Sequence, residues 1–406
     1  MSALAEPAMD ALTGDRLARR NAIVLAATQA LAGGNNVVLV ATAGIVGTML
    51  APDRGLATLP ISIFVLGMWM GTLPMGALAR RLGRRNALQM GTACGVLTGL
   101  ICCLAVLRGS FLLFNIGAVF SGFYASAHQS YRFAAADTAS EAFRPKVIAW
   151  VLFGGILAGI FGAQLVIATQ DLWPPYLFAA TYLGQSALAL VSAGVLMFVN
   201  IPKPPPRSTV GDGRPLAEIA RQPRFAMAVA CGVASYAMMN LVMTSAPLAM
   251  VMCNHSVTDA TLGLQWHVLG MYAPSFVTGS LISRFGLERI TGLGLALIIV
   301  AAAIGIAGIS LWHFWIGLAL LGVGWNFAFI GATTLVTACH RANERNKVQA
   351  FNDFLVFGSM AVGSFASGQL LASFGWTMVN EVVFPVTLAA VALLIWGTLR
   401  RRAQLA

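Results

Sequence analysis

Two short motifs in this chain of 406 residues carry side chains that could bind a soft ligand. They are Met239-x-x-x-Met243 and His267-x-x-x-Met271. Residues four apart lie on the same face of an α-helix, about 6 Å from each other, so each pair can act together. Thioether sulfur is soft and uncharged, and a neutral imidazole adds a stronger donor, a set that favours Cu(I) over Mg, Ca or Mn. The spacing therefore predicts a soft-metal site, provided that two helices bring the pairs together.

The composition indicates which elements must position these motifs. Of all residues, 58% are hydrophobic and only 10% are charged, and the mean hydropathy is +0.80. A soluble globular chain carries about 25% charged residues, so this chain has too little polar surface for a water-facing protein. The net charge of +11 is spread over the breaks between apolar runs. We therefore expect a polytopic membrane protein in a lipid bilayer, and no nucleic-acid partner.

A membrane-spanning helix needs about 20 apolar residues, and the chain contains twelve apolar runs of suitable length. These runs are 22–50, 57–79, 87–107, 110–137, 146–169, 174–200, 224–252, 258–283, 290–309, 312–338, 348–374 and 378–399. The segment 201–221 is rich in Pro and Gly, which do not continue a helix, and is predicted to be a linker. The predicted fold is an all-α membrane protein of twelve transmembrane helices, in two six-helix halves at 1–200 and 222–406.

The basic residues predict the orientation of the chain in the membrane. Of the 25 Lys and Arg residues, Arg54 and Arg108 fall in odd-numbered loops and Arg132 falls in the fourth span, which leaves 22. These 22 lie at the termini, in the linker or in even-numbered loops. By the positive-inside rule, both termini and the linker are expected in the cytoplasm.

The two halves repeat one another, since the residues Val-Leu-Gly-Met at 65–68 recur at 268–271. Two parallel six-span repeats joined by a cytoplasmic linker resemble the major facilitator superfamily, and the resemblance covers nearly the whole chain. It implies a transporter that works by alternating access rather than an enzyme. The sequence has no Gly-x-x-x-x-Gly-Lys-Ser/Thr motif for a nucleotide, so we expect secondary transport.

The loop after the second span carries that superfamily's signature with one departure. Where relatives have Gly-x-x-x-Asp-Arg-x-Gly-Arg-Lys, this chain has Arg80 at the acidic position, followed by Arg81 and Arg84. The three arginines are candidate gating residues. The replacement at Arg80 puts in question the charge pairing that latches this loop in relatives.

Counting from the ends of the predicted spans seven and eight places Met239 and Met271 near mid-bilayer, with Met243 and His267 one turn further out. Packing is the alternative for the methionines, because Met fills gaps in apolar helices and the chain has 17 of them. His267 favours a functional site, because ionisable residues deep in membrane spans are rare.

The paired motifs of spans seven and eight resemble those of the CcoA-like copper importers, which are bacterial members of the superfamily. The resemblance implies inward transport of copper for the assembly of haem–copper oxidases, with Met239, Met243, His267 and Met271 as ligands. It also implies an inner-membrane location and cytoplasmic copper-accepting proteins as partners. We expect a monomer without a cofactor, since copper is the substrate. Candidate accessory residues are Cys231, Cys253 and His255.

Three further ionisable residues in spans are candidates for coupling or gating. His128 and Arg132 in span four could bind an anion or relay protons, although an Arg near a span end can also snorkel to the interface. Asp353 in span eleven could carry a proton or pair with Arg132 or Lys347, and the ion pair is favoured.

Other functions remain open from the sequence. An importer of an organic solute such as riboflavin would use aromatic side chains as stacking surfaces and the Met pairs as packing. The candidate aromatic residues are Trp69, Tyr124, Tyr131, Trp266 and Trp325. A proton-coupled drug or metabolite transporter is a further alternative. A non-transporting copper sensor is disfavoured, because the chain has no large soluble domain to meet a partner.

Overall fold

The computed structural model describes residues 6–137, 139–140, 143–201, 213–341 and 344–405, apart from some side chains within these ranges. The described residues form α-helices joined by short turns, and none of them lies in a β-strand. The helices are α1 (Glu6–Leu50), α2 (Leu59–Leu82), α3 (Arg84–Arg108), α4 (Phe111–His128), α5 (Tyr131–Ala136), α6 (Arg144–Thr169), α7 (Ala179–Leu196), α8 (Leu216–Ala220), α9 (Pro223–Met252), α10 (Val257–Tyr272), α11 (Ser275–Phe285), α12 (Leu287–Ala307), α13 (Leu311–Thr337), α14 (Arg345–Glu381) and α15 (Val383–Leu405).

Ten helical stretches in the described part of the chain are long and apolar enough to cross a membrane. The difference from the twelve predicted spans has two causes. The eighth span is divided at Ala273 and Pro274 into α10 and α11, each shorter than a full span. The last two spans lie in one stretch, Lys347–Arg400, which is broken at Gly375 by a left-handed backbone with φ 79°. The predicted all-α fold is confirmed.

The contacts within the chain divide it into two units. The first unit comprises Met1–Val46 and Leu66–Pro206, and the second comprises Gly47–Val65 and Arg207–Ala406. The segment 47–65, however, was expected in the N-terminal half and instead packs with the second unit.

The side chains of the segment 47–65 explain this assignment. The hydroxyl of Ser62 donates a hydrogen bond to the hydroxyl of Ser364 on α14, at 3.2 Å. Thr58 lies against Gly368 one turn further along α14, so closely that a Cβ at Gly368 would overlap the Thr58 hydroxyl. A small residue on α14 therefore makes room for the connection between α1 and α2.

The predicted linker contains a helix that its Pro and Gly content did not suggest. Its described C-terminal part holds α8, a single short helix that begins after Pro215. Just before it, Arg214 donates from Nε and Nη2 to the two carboxylate oxygens of Glu344, at 2.9 and 2.8 Å. Lys347 donates to the backbone oxygen of Arg214. These bonds fix the end of the linker to the connection between α13 and α14.

The sequence repeat has a physical counterpart in helix packing. Gly67 on α2 lies so close to α4 that a Cβ there would be 2.9 Å from the Val119 carbonyl oxygen. Its repeat equivalent Gly270 on α10 lies still closer to α13, where a Cβ would overlap the Ala319 carbonyl oxygen. Both repeats therefore have a glycine at this position, which lets two helix backbones approach.

Candidate functional site

The two predicted Met and His pairs lie on α9 and α10, which contact each other in the second unit. Met239 and Met271 are buried, Met243 is half-buried and His267 is fully buried. Most of α9 is buried, whatever the residue type. Burial of the two methionines on this helix is therefore what ordinary packing also produces.

His267 is fixed by a bond to the neighbouring helix. Its Nδ1 donates a hydrogen bond to the carbonyl oxygen of Leu318 on α13, at 2.8 Å. A carbonyl oxygen can only accept, so Nδ1 carries a proton. The other ring nitrogen, Nε2, is buried and has no hydrogen-bond partner among the described residues. His267 thus connects α10 to α13 and keeps one nitrogen unused.

The accessory candidates do not gather around this histidine. Cys231 directs its sulfur toward the carbonyl oxygen of Ala390 on α15, at 3.9 Å. Cys253 lies at the C-terminal end of α9, where burial raises the pKa of its thiol and disfavours the thiolate. His255 donates from Nε2 to the carbonyl oxygen of Ile309, at 2.8 Å. The described residues contain no cluster of three or more His, Cys, Asp or Glu side chains that could hold a metal.

His128 belongs to a polar cluster in the first unit. The amide nitrogen of Asn36 on α1 donates to His128 Nε2 at 2.7 Å, and His128 Nδ1 lies 3.4 Å from the amide oxygen of Gln29. The amide oxygen of Asn36 is buried without a partner among the described residues. The guanidinium of Arg132 lies over the Phe133 ring at 4.8 Å. Gln29 and Asn36 carry no motif or spacing that predicts this cluster from the sequence.

A charge pair that the loop signature does not predict joins the start of α3 to the residue after α5. Arg84 contacts Asp137, which follows α5, with 2.7 Å between Nε and Oδ2. Both side chains are partly exposed, so the pair contributes about 0–1 kcal/mol. Arg81 is exposed, and the side chain of Arg80 lies outside the described part of the structure.

Asp353 is an exposed residue of α14. Its carboxylate accepts a hydrogen bond from the amide of Asn352 at 3.2 Å. Of the two proposed partners, Lys347 donates to the backbone of Arg214, and Arg132 belongs to the other unit. The predicted ion pair of Asp353 therefore stays a prediction.

Four aromatic rings of the second unit form a cluster that joins three helices, and we call it the aromatic cluster: Tyr236 of α9, Trp325 and Phe329 of α13, and Phe357 of α14. Tyr236 meets the other three rings edge-on, at centroid distances of 5.2, 4.9 and 5.9 Å. Trp325 and Phe329 are stacked at 5.2 Å, with 13° between their planes. Phe329 and Phe357 are half-buried.

Of the four residues of the aromatic cluster, only Trp325 is among the stacking residues predicted from the sequence. Of the other named aromatic residues, Tyr124 and Tyr131 are fully buried in the core of the first unit. Trp266 is 44% exposed and Trp69 is half-buried. Phe329 follows Trp325 by four residues, a helical spacing that the sequence does show.

Comparison with known proteins shows to which superfamily the chain belongs. Residues 22–273 and 228–405 match the Major Facilitator Superfamily, and the chain belongs to this superfamily of multi-pass membrane transporters. Among individual proteins, the chain is 48% identical to the riboflavin transporter RfnT of Brucella anthropi, over 92% of this chain and 95% of that protein. It is also similar to two MFS-type transporters of Bacillus subtilis. YdeG is 26% identical over 94% of this chain and 92% of that protein, and YddS is 27% identical over 86% and 85%.

The similarity to RfnT corrects the predicted substrate. The resemblance to the copper importers was right for the superfamily and wrong for the branch, since the relative that is 48% identical is a riboflavin transporter. Copper as substrate and the copper-accepting partners are withdrawn with it. The physical reason lies in the motifs, which rest on four side chains in apolar helices. Met is a common packing residue there, and His267 bonds to a backbone carbonyl.

Proposed function

We propose that this protein is a secondary transporter that takes up riboflavin across the bacterial inner membrane. The observation that carries the proposal is the 48% identity to a riboflavin transporter over nearly the full length of both chains. The aromatic side chains that join α9, α13 and α14 fit a planar aromatic ring system better than they fit a metal ion.

The location and orientation form part of the same proposal. The chain is placed in the cytoplasmic membrane with both termini inside. The asymmetry of its basic residues supports this placement, since 22 of the 25 fall at the termini, in the linker or in even-numbered loops.

The test is uptake of radioactive riboflavin by a bacterial host that can neither make nor import the vitamin. The full chain should support growth on micromolar riboflavin and accumulate the label above an empty vector. Copper accumulation, measured in the same cells, should equal that of the empty vector. Riboflavin accumulation no higher than with the empty vector, in cells whose membranes contain the protein, would refute the proposal.

The energy source is tested in proteoliposomes that contain only the purified protein. Riboflavin should enter without added ATP, and excess unlabelled riboflavin inside should accelerate exchange, as expected of a secondary transporter. A strict requirement for ATP would contradict this assignment.

A further inference from the structure

We infer that the aromatic cluster binds the tricyclic ring of the flavin, with the Trp325 indole N–H donating to a ring carbonyl of the substrate. The inference rests on the proposed function and deepens it, because it assigns the part of the substrate that these side chains recognise. The assignment follows from three features of the second unit.

The first feature is a planar apolar surface that is only partly covered. Trp325 and Phe329 are nearly parallel, and Phe329 and Phe357 are both half-buried. Aromatic rings prefer further rings in stacked or edge-to-face arrangements. Bases stack favourably on aromatic side chains, and the flavin ring offers a larger face.

The second feature is the unsatisfied indole of Trp325. This residue is only 8% exposed, and its Nε1 is buried without an acceptor among the described residues. A buried Trp N–H usually has a partner, because an unpaired buried donor loses its hydrogen bond to water without replacement. By contrast, the hydroxyl of the buried Tyr124 is paired with Ser192 at 3.1 Å. The pyrimidinedione part of a flavin carries two carbonyl oxygens that can accept.

The third feature is the position of the two methionines on α9. Met239 and Met243 lie three and seven residues after Tyr236, and therefore on the same face of the helix. Thioethers make favourable contacts with aromatic rings. The spacing of Met239 and Met243, which predicted a metal site, also suits an apolar surface on the face of α9 that carries Tyr236.

Binding is tested by titrating purified full-length protein in detergent with riboflavin and following the flavin fluorescence, which stacking on aromatic rings quenches. Lumiflavin, which has the ring without the sugar chain, should compete, and ribitol should not. Phe329→Leu and Phe357→Leu should each raise Kd about tenfold, from the lost stacking. Trp325→Phe keeps an aromatic ring, although a smaller one, and removes the donor, and it should raise Kd by a similar factor.

The matched control is Trp312→Phe on the same helix α13, since Trp312 is 66% exposed and lies outside the aromatic cluster. Its Kd should equal that of the wild type, and all variants should elute as single symmetric peaks. If wild type transports riboflavin but the three cluster variants bind it as tightly as wild type does, the inference is wrong and the transport proposal stands. If wild type neither transports nor binds riboflavin, both are wrong. An equal loss of binding in Trp312→Phe would also overturn the inference.

Discussion

Glu344 is fully buried, and both of its carboxylate oxygens accept hydrogen bonds. Arg214 donates to both oxygens, and the backbone N–H of Arg341 adds a bond of 2.9 Å. The Arg214 guanidinium, followed by these further bonds, holds the pKa of Glu344 well below its usual range. Glu344 in turn raises the pKa of Arg214. One acidic residue therefore anchors the end of the linker.

Replacing Glu344 with Gln should lower the thermal unfolding midpoint of the purified protein at pH 7. Because the pKa is lowered on folding, the stabilisation is fully present above the ordinary glutamate pKa of about 4.3 and declines as the pH falls below it. Melting curves between pH 7 and pH 3 should therefore show the gap between wild type and variant narrowing toward acid. Glu218→Gln, at an exposed position of α8, should melt like the wild type. A gap that widens toward acid would contradict this explanation.

At the same scale, His267 is an ionisable side chain that joins two helices of the fold through a hydrogen bond. Its residue type suggested a ligand, because a histidine within a span is rare. The structure uses its Nδ1 to bond Leu318. The hydrogen-bond partner of the His267 ring lies 51 residues away in the chain. The residues next to His267 in the sequence therefore do not predict which ring nitrogen forms the bond.

At the scale of elements, the close helix pairs are decided by glycines at repeat-equivalent positions. Gly67 and Gly270 each face the backbone of a helix that lies some 50 residues further along the chain (Val119 and Ala319). Van der Waals packing of small residues is the main attraction between helices in a membrane. The sequence repeat therefore includes a glycine that the close packing of two helices requires in each half.

Gly270→Ala should destabilise the protein by about 1–3 kcal/mol, since the added methyl group must push α10 away from the backbone of α13. Gly279→Ala on α11 is the matched control, because nothing lies within 4 Å of a Cβ there. It should be neutral or stabilise by up to about 1 kcal/mol through the better helix propensity of Ala. Thermal unfolding of both variants in the same detergent decides the matter. Equal midpoints would show that the close contact does not limit stability.

At the scale of the whole molecule, the orientation in the membrane follows from where the basic residues lie. Alkaline phosphatase fused after Asp171, in the connection between α6 and α7, should be active because this loop is expected outside. The same enzyme fused after Gly213 should be inactive, and green fluorescent protein fused there should fluoresce. Phosphatase activity after Gly213 would reverse the predicted orientation.

The fold could be predicted from the sequence because the bilayer imposes a local rule. Each span needs about 20 apolar residues and must satisfy its backbone hydrogen bonds within a helix, so runs of apolar residues suffice to predict an all-α fold. The repeat and the loop signature then indicated the superfamily. The branch was not predictable in this way, because short motifs of Met and His also arise from packing.

Only the tertiary structure decided which side chains come together. Tyr236, Trp325 and Phe357 lie on three helices far apart in the chain and meet edge-on in one cluster. The segment 47–65 packs with α14 because Gly368 leaves room for Thr58. Hydropathy is a property of each segment alone, whereas the face that a helix presents, and the neighbour that it meets, depend on the shapes of all the helices packed around it.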